Sequence, residues 1–399
     1  MKKIVLTLSL LTFTASSFAA QFEGSIPEWK SEKESFKKPE ESFKKALQIL
    51  KEKYADKNVT EEDLYRAAAE GMLAALNSGK ENWNTLLTPR NIQNTNIDIS
   101  GQLVGIGATL DFDANTKNAR VRGTIVGSAA EKVGLRKYDQ ILSVNGKRHK
   151  DLPSMVMDIR GKAGESVKLK ILREDRIIDL KITRAEVKIP FVTAANIDSQ
   201  TGYLQISGFS KESVPDLKTQ LDTFKDKKLT KLIIDLRSNP GGVFATALEV
   251  AEMFLNKNDV IAKAKTRDGS IKEYKANGNA WSPSTQLIVL TDVETSSGAE
   301  VLAASLKENR KAILMGDKTA GKWTVESLER LPNDYYIKYS VMSLLSPSDR
   351  SYEGVGLKPD FEINKPAEND FIGFDLAKDI KKRMEIDPAL RAAVEFPVR

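Results

Sequence analysis

The hydrophobic positions that follow Phe43 recur every three or four residues, which is the spacing of amphipathic helices. A second helix is predicted to begin at Thr60, because this capping residue is followed by acidic residues in the first turn. Asn77 and the glycine two residues later predict its end. We interpret residues 20–98 as a helical packing segment with no chemistry of its own.

Residues 99–187 change to short alternating patterns that are typical of strands. Asn145-Gly146, after the strand predicted over 140–144, is a strong signal for a hairpin turn. We predict strands over 104–112, 121–125, 140–144, 167–171 and 178–182, and helices over 127–134 and 152–159. This segment is therefore predicted to be a compact β-rich module with two helices.

From residue 188 onward, nearly continuous apolar strands alternate with helices. We predict strands over 232–236, 287–291 and 312–315, and helices over 245–255 and 298–306. Apolar strands of this kind are buried on both faces, and the alternation predicts a parallel, crossover-connected α/β sheet. Ligands and reacting groups of such sheets lie beyond the carboxyl ends of the strands.

Composition excludes several classes of protein and several kinds of site. The 399 residues are 41% hydrophobic and 29% charged, which excludes disordered, collagen-like and multi-span membrane proteins. The net charge of +6 comes from interspersed acidic and basic residues, so no nucleic-acid-binding stripe is expected. The absence of cysteine excludes a cysteine protease, a cysteine zinc site, a disulfide framework and a lipoprotein anchor. The one histidine, His149, is expected to be solvated in a charged loop.

The first 19 residues have the pattern of a secretory signal peptide: two lysines, an apolar run over 4–13 and small residues up to Ala19. We expect cleavage after Ala19, with Ala20 as the alternative, and an exported, periplasmic protein without a stable membrane anchor. A retained membrane anchor is the other interpretation, but the apolar run is shorter than the ~20 residues that a span needs.

Three turns after predicted strands carry residues suited to acyl transfer. The pair Gly241-Gly242 can present backbone N–H groups at close range. Ser296 and Ser297 open a helix, whose N-terminus can support a developing oxyanion. Lys322 follows the next strand and can serve as a base if it is neutral. Each turn alone is weak evidence, because Ser-Ser-Gly is commonly a helix cap and Gly-Lys a loop.

Together these motifs resemble those of carboxyl-terminal processing proteases, also called tail-specific proteases, over nearly all of the chain after the leader. The stretch 235–242 is the most specific match. Further similar stretches lie at 70–76, 87–89, 105–108, 127–130, 160–162 and 354–360. The resemblance implies an α/β (α+β multidomain) fold. Its parts are the N-terminal helical segment, an inserted PDZ domain over 99–187 and a ClpP/crotonase-like α/β protease core over 188–399.

The resemblance also implies roles for single residues. The nucleophile is Ser297, three residues before a glutamate, and the base is Lys322 at the family's spacing. The oxyanion donors are the backbone N–H groups of Gly298 and of one glycine of the pair Gly241-Gly242. We expect neither a metal ion nor a cofactor.

The PDZ loop is implied to bind the substrate. Gly105, Ile106, Gly107 and Ala108 resemble the loop that captures a free C-terminal carboxylate through backbone N–H groups. The implied reaction is endoproteolysis of proteins or peptides with free C-termini. An apolar C-terminal residue should be preferred, since Ile106, Leu110, Val156 and Ile159 lie in the loop, its strand and the neighbouring helix. Arg160 is a candidate switch residue, although a plain surface arginine is equally consistent with the sequence.

Glu326 departs from the family pattern, which commonly has Gln at this position as the orienting third member. An ionised carboxylate beside Lys322 favours its ammonium form and so opposes a role as base. Glu326 is therefore protonated, points away, or makes the enzyme slow or active only at alkaline pH. Thr295 and Gly298 also replace the more usual Ser and Ala.

Two other functions remain open. A PDZ adaptor with a decayed catalytic centre would account for Glu326, although the retained Ser297 and Lys322 argue against decay. An apolar-ligand carrier on the related core fold would need no Lys322. The helical ends at 30–98 and 366–395 are candidates for pairing between chains in a homo-oligomer, or for packing on their own domain.

Overall fold

The computed structural model describes residues 37–77, 83–89, 91–92, 100–113, 116–225, 227–278, 280–363 and 380–398. The predicted signal peptide and its cleavage site lie outside these residues. Contacts divide the chain into two units, residues 1–86 and residues 87–399. None of the helices in the described ranges is long and apolar enough to cross a membrane.

The first unit contains two helices, α1 (Pro39–Lys53) and α2 (Glu61–Leu76), and is followed by the short strand β1 (Thr85–Leu87). Thr60 caps α2 as predicted. Its hydroxyl accepts the N–H of Asp63 at 3.2 Å, and the Asp63 carboxylate accepts the N–H of Thr60 at 2.9 Å. This reciprocal pair satisfies two backbone donors at the start of the helix.

The β-rich module follows in the second unit. Its elements are β2 (Gln102–Gly105), β3 (Ala108–Asp113), β4 (Asn118–Thr124), α3 (Ala129–Lys132), β5 (Gln140–Val144), α4 (Leu152–Ile159), β6 (Ser166–Arg173), β7 (Arg176–Thr183) and β8 (Ala185–Lys188). Strands β3 to β7 form one antiparallel sheet in chain order. The entry strand β2 pairs with the exit strand β8, as expected of a module inserted into another domain.

Two predictions in this module need correction. The strand predicted over 104–112 is two strands, because Gly107 has φ +77° and a Cβ there would lie 2.4 Å from Ser128. His149 is buried, with 4% of its surface exposed, and its Nε2 lies 2.8 Å from an Asp158 carboxylate oxygen. Helix α4 brings Asp158 back over the loop, a contact that local sequence does not encode. The turn at Asn145-Gly146 is confirmed, with φ of 51° and 82°.

The remaining elements form the core. They are β9 (Val192–Asn196), β10 (Thr201–Ile206), α5 (Ser213–Asp222), β11 (Lys231–Asp235), α6 (Phe244–Glu252), β12 (Val260–Thr266), β13 (Ile271–Lys275), β14 (Gln286–Thr291), α7 (Gly298–Arg310), β15 (Ile313–Gly316), β16 (Thr324–Arg330), β17 (Tyr336–Leu345), β18 (Phe361–Glu362), α8 (Ile380–Ile386) and α9 (Pro388–Glu395).

The main core sheet has the strand order β18-β15-β14-β11-β10-β9. Adjacent strands of this sheet are parallel except β9 and β10. The sheet is therefore mixed, whereas a parallel sheet was predicted. Asp198 closes the connection between these two strands by accepting the N–H groups of Gln200 and Thr201. Such a short turn can only reverse the chain, since a parallel pair needs a long crossover. A second, antiparallel sheet that contains β12, β13, β16 and β17 was not predicted.

Both faces of the main sheet are covered, as the apolar strands predict. Leu232 and Ile234 of β11 join one hydrophobic core with α5, α6 and α7. Ile233 faces the opposite side and joins a second core with Leu390 and Ala393 of α9. The predicted fold class, a mixed α/β multidomain protein with an N-terminal helical segment, a β-rich module and an α/β core, is confirmed.

A buried network of charges docks α8 and α9 on this sheet. Arg237 donates to Asp235 and to Asp387, each at 2.7 Å. Arg383 donates to Asp235 at 2.9 Å and to the hydroxyl of Tyr203 at 2.6 Å. Burial opposes the charge of Asp235, yet the two guanidinium groups hold the pKa of this carboxyl well below its usual range. The network lies directly before the turn that contains Gly241.

Asp387→Asn is expected to destabilise the protein by about 3 kcal/mol, because it leaves two buried guanidinium groups with one carboxylate. Asparagine keeps the capacity to cap α9, so the loss reports the charge. Asp334→Asn, in an exposed pair with Arg330, is the matched control and should barely move the unfolding midpoint. Urea unfolding measures both; equal losses would show that the buried network contributes no more than a surface pair.

Candidate active site

The three predicted turns meet beyond the carboxyl ends of β11, β14 and β15, which are adjacent in the sheet. Backbone hydrogen bonds join them. The N–H of Ser296 donates to the carbonyl of Asn239 at 2.9 Å, and the N–H of Ala320 donates to the carbonyl of Thr295 at 3.0 Å. The structure therefore brings the predicted glycine, serine and lysine turns into one site.

Ser297 occupies a strained position at the start of α7. Its backbone has φ 55° and ψ −120°, a conformation that residues other than glycine seldom adopt. A serine on a sharp strand-to-helix turn is the geometry that exposes a nucleophilic hydroxyl. Ser297 is partly exposed, whereas the neighbouring Ser296 is buried with 8% of its surface accessible. This difference favours Ser297 over Ser296.

The carboxylate of Glu300 connects the turn of Ser297 to the turn of Lys322. It accepts the N–H groups of Ser297 at 3.0 Å, Gly321 at 2.9 Å and Lys322 at 2.8 Å, and the hydroxyl of Thr319 at 2.5 Å. Glu300 is fully buried, and burial raises its pKa although the four donors oppose the rise. In the sequence, Glu300 serves to distinguish Ser297 from Ser296, and its position at the third residue of α7 is the signal for a capping role.

The predicted oxyanion residues also lie together. A Cβ at Gly241 would lie 2.7 Å from the Cβ of Ser297 and 3.1 Å from the nitrogen of Gly298. The backbone of Gly241 therefore contacts Ser297 directly. The N–H of Gly241 donates to the side chain of Asn239 at 2.8 Å. Because the N–H of Gly241 already donates to Asn239, the N–H of Gly242 is the better candidate of the pair to stabilise an oxyanion.

Lys322 and Glu326 form an ion pair. The lysine Nζ lies 2.8 Å from a Glu326 carboxylate oxygen, and both side chains are largely buried, with 11% and 14% exposed. The other Glu326 oxygen accepts the hydroxyl of Thr324 at 2.9 Å. The carboxylate therefore faces the lysine, which excludes the account in which Glu326 points away. The catalytic roles of Ser297, Lys322 and Glu326 stay predictions.

The loop of Gly105, Ile106, Gly107 and Ala108 is built to expose backbone donors. The carbonyl of Ile106 accepts the N–H of Ala130 at 2.8 Å, and the carbonyl of Gly107 accepts the N–H of Ile125 at 2.9 Å. In a trans peptide the carbonyl and the following N–H point in opposite directions. The N–H groups of Gly107 and Ala108 therefore point away from the module's interior.

The strand that follows this loop, β3, lies at the edge of its sheet and next to α4. Such an edge can accept an added peptide strand. Of the four predicted apolar contacts, Ile106 and Ile159 belong to the module's core, whereas Leu110 and Val156 are partly exposed. Arg160 follows α4 and lines a cleft of about 950 Å³.

The family models and the similar proteins that match this chain agree on one family. Residues 200–363 match the model of peptidase family S41, and residues 105–183 match that of a PDZ domain. The chain is 29% identical over 329 residues to a carboxyl-terminal-processing protease of Synechocystis sp., across 80% of this chain and 75% of that protein. It is 30% identical over 322 residues to a probable CtpA-like serine protease of Staphylococcus aureus (strain COL), across 80% of this chain and 64% of that protein.

A solved structure supports the fold. A candidate S41 protease from Bacteroides fragilis aligns with a TM-score of 0.53 and 19% identity, and the alignment covers 79% of this chain and 90% of that one. At this identity the likeness concerns the fold alone. The predicted domain boundaries at residues 99 and 188 stay predictions.

Gly298→Ala is expected to destabilise the protein by about 1–3 kcal/mol through overpacking. A Cβ at Gly298 would lie 2.9 Å from Ala247 and 3.2 Å from the ring of Phe209, so an alanine has no room unless these side chains shift. Gly278→Ala is the control, because the nearest atom to its Cβ would be 4.0 Å away. Thermal unfolding of both variants measures the difference, and similar midpoints would contradict the packing account.

Proposed function

The chain belongs to peptidase family S41 and contains a PDZ domain, and from this premise we propose that it is an exported serine endopeptidase that recognises substrate C-termini and cleaves with a Ser-Lys dyad. The observation that carries the proposal is the Glu300 carboxylate, which accepts the backbone N–H groups of both Ser297 and Lys322. That shared acceptor holds the nucleophile and the base in one buried arrangement.

Acylation begins at Ser297. Its Oγ attacks the carbonyl carbon of the scissile peptide bond while its proton passes to a neutral Lys322 Nζ. The backbone N–H groups of Gly242 and Gly298 stabilise the negative charge that develops on the carbonyl oxygen. The intermediate then collapses: the C–N bond breaks, and the leaving amine takes the proton from Lys322.

Deacylation repeats the same proton transfers. A water molecule attacks the acyl ester on Ser297 and gives its proton to Lys322. Cleavage of the ester bond releases the carboxylic acid product, and the Ser297 oxygen takes the proton back from the lysine. In both halves the base must begin neutral, which makes the contact between Lys322 and Glu326 the critical feature of this site.

The PDZ domain is proposed to select substrates by their free C-terminus. The outward N–H groups of Gly107 and Ala108 can donate hydrogen bonds to a terminal carboxylate, and the edge of β3 can pair with the preceding residues of the substrate. The partly exposed Leu110 and Val156 favour an apolar terminal residue. The partners are accordingly proteins or peptides with accessible C-termini.

Export to the periplasm is proposed from the signal-like pattern of residues 1–19. N-terminal sequencing of the protein recovered from the periplasmic fraction tests it. A mature chain that begins at Ala20 or Gln21 supports export, and an intact Met1 in the cytoplasmic fraction contradicts it.

The second candidate function is a PDZ adaptor without activity. The ion pair of Lys322 with Glu326 favours it, since a lysine held as an ammonium ion cannot take the proton of Ser297. Binding of a peptide by its free C-terminus, without cleavage at any pH, would establish the adaptor.

Ser297→Ala and Lys322→Ala should each reduce cleavage of an unstructured peptide with a free apolar C-terminus by about a thousandfold or more. Ser296→Ala, at the neighbouring serine, should retain cleavage. Amidation of the peptide's C-terminus should reduce its cleavage, because the PDZ loop then has no carboxylate to bind. Turnover is measured across about pH 6–10. Equal activity of Ser297→Ala and the wild type would refute the assigned nucleophile.

Glu326→Gln should extend activity toward lower pH, moving the acid limb of the rate profile down by about one pH unit. Removing the carboxylate's charge makes the ammonium form of Lys322 less favourable. Glu329→Gln, at an exposed position of the same strand, is the control and should leave the profile in place. A profile of Glu326→Gln that overlays the wild type would show that this carboxylate does not govern the base.

A further inference from the structure

Strand pairing places a second lysine beside the pair of Lys322 and Glu326. In the register of β16 and β17, Glu326 lies opposite Ser340 and Leu328 lies opposite Lys338. Cross-strand partners share one face of a sheet, as do residues two apart on one strand. Glu326 and Lys338 are therefore diagonal neighbours on the same face, at about 7–8 Å, a separation that long side chains span.

Lys338 is electrostatically coupled to both members of the pair. Burial lowers the pKa of Lys338, the charge of Lys322 lowers it further, and the charge of Glu326 opposes the decrease. Two ammonium groups thus compete for one carboxylate in a partly buried site. Two more carboxylates lie close, but each accepts backbone N–H groups: Glu300 that of Lys322, and Glu353 that of Trp323 at 2.5 Å.

The charge balance of this cluster favours the loss of one proton. With both lysines protonated and Glu326 ionised, the three side chains carry one excess positive charge. Releasing one proton makes the cluster neutral, and a lysine next to another cation is a known route to an activated amine. For the dyad to work, the proton must leave Lys322 rather than Lys338. Burial lowers the pKa of Lys338, but the charge of Glu326 opposes that decrease and favours the protonated form of Lys338.

We propose that Lys338 is a positioning residue that neutralises Glu326 and so allows Lys322 to act as the base. This inference rests on the proposed function and deepens it. It accounts for how a dyad can work with glutamate where the family commonly has glutamine, since the added negative charge is matched by a positive one on the facing strand.

Lys338→Met tests the proposal through the pH dependence of peptide cleavage. Without Lys338, the ammonium form of Lys322 is the charged partner left to Glu326 in this cluster, so the acid limb should move up by about one pH unit, a roughly tenfold loss of rate on that limb. Lys338→Arg, which keeps the charge, should restore the limb. A purely structural role would lower the rate equally at every pH, and that result would overturn the proposal.

The double variant Glu326→Gln/Lys338→Met sharpens the test. The proposal requires that Lys338→Met shift the limb more when the carboxylate is present than when it is absent, so the two effects should be strongly non-additive. In the double variant the limb should return at least to its wild-type position. An equal upward shift with and without Glu326 would show that Lys338 acts on something other than this carboxylate.

A measurement that needs no turnover separates this inference from the proposed function. The rate at which acetic anhydride acetylates Lys322, followed by mass spectrometry across pH, reports the neutral fraction of that amine in the folded protein. Its midpoint should rise in Lys338→Met and not in Lys338→Arg. An unchanged midpoint overturns the inference even in an active enzyme. If the wild type cleaves no peptide, the proposed function fails, while a shifted midpoint still supports the charge coupling.

Discussion

The buried carboxylate of Glu300 is the interaction on which the active site depends. A charge removed from water is tolerated only when donors replace the lost solvation, and here three backbone N–H groups and one hydroxyl do so. Because these donors come from the turns of Ser297 and Lys322, neither turn can move without leaving the carboxylate short of a partner. The hydrogen bond from the N–H of Ser297 to the Glu300 carboxylate also helps to keep Ser297 in its strained backbone conformation.

The glycine-rich motifs are best understood as parts of the same packing. Gly241 touches Ser297, and Gly356 lies so close to Thr319 that a Cβ would come within 2.1 Å of its carbonyl oxygen. The stretch 354–360 packs against the turn that contains Lys322, where the N–H of Gly354 donates to the carbonyl of Gly321 at 2.8 Å. Motifs far apart in the chain are therefore jointly required, since each supplies backbone contacts that a side chain would block.

The charges around Lys322 set this site apart from the pattern that its motifs resemble. Glu326 brings a carboxylate to within hydrogen-bonding distance of the Lys322 ammonium, and the facing strand places Lys338 on the same face as Glu326. The result is a partly buried cluster of two lysines and one carboxylate. Activity in such a site depends on the balance of charge as much as on the identity of the nucleophile.

Some elements could be predicted because their pattern is local. The predicted bounds of β5 and α4 agree with the structure, since a clean apolar period and clear turn residues delimit each of them. The second core sheet was missed because its strands are only half-buried and their alternation is interrupted, as in β16 and β17. The burial of His149 was missed because its partner Asp158 reaches it through the fold.

The sequence by itself determined the family resemblance and the candidate nucleophile, base and glycine turn, because the residue types that acyl transfer needs occur in recognisable local motifs. Only the tertiary structure decided that Glu326 faces Lys322, that Glu300 spans the two turns and that Lys338 lies on the same sheet face as Glu326. The physical reason is that periodicity and motifs encode what each segment does alone. Contacts between charges on different segments depend on strand pairing and burial, which exist only in the folded chain.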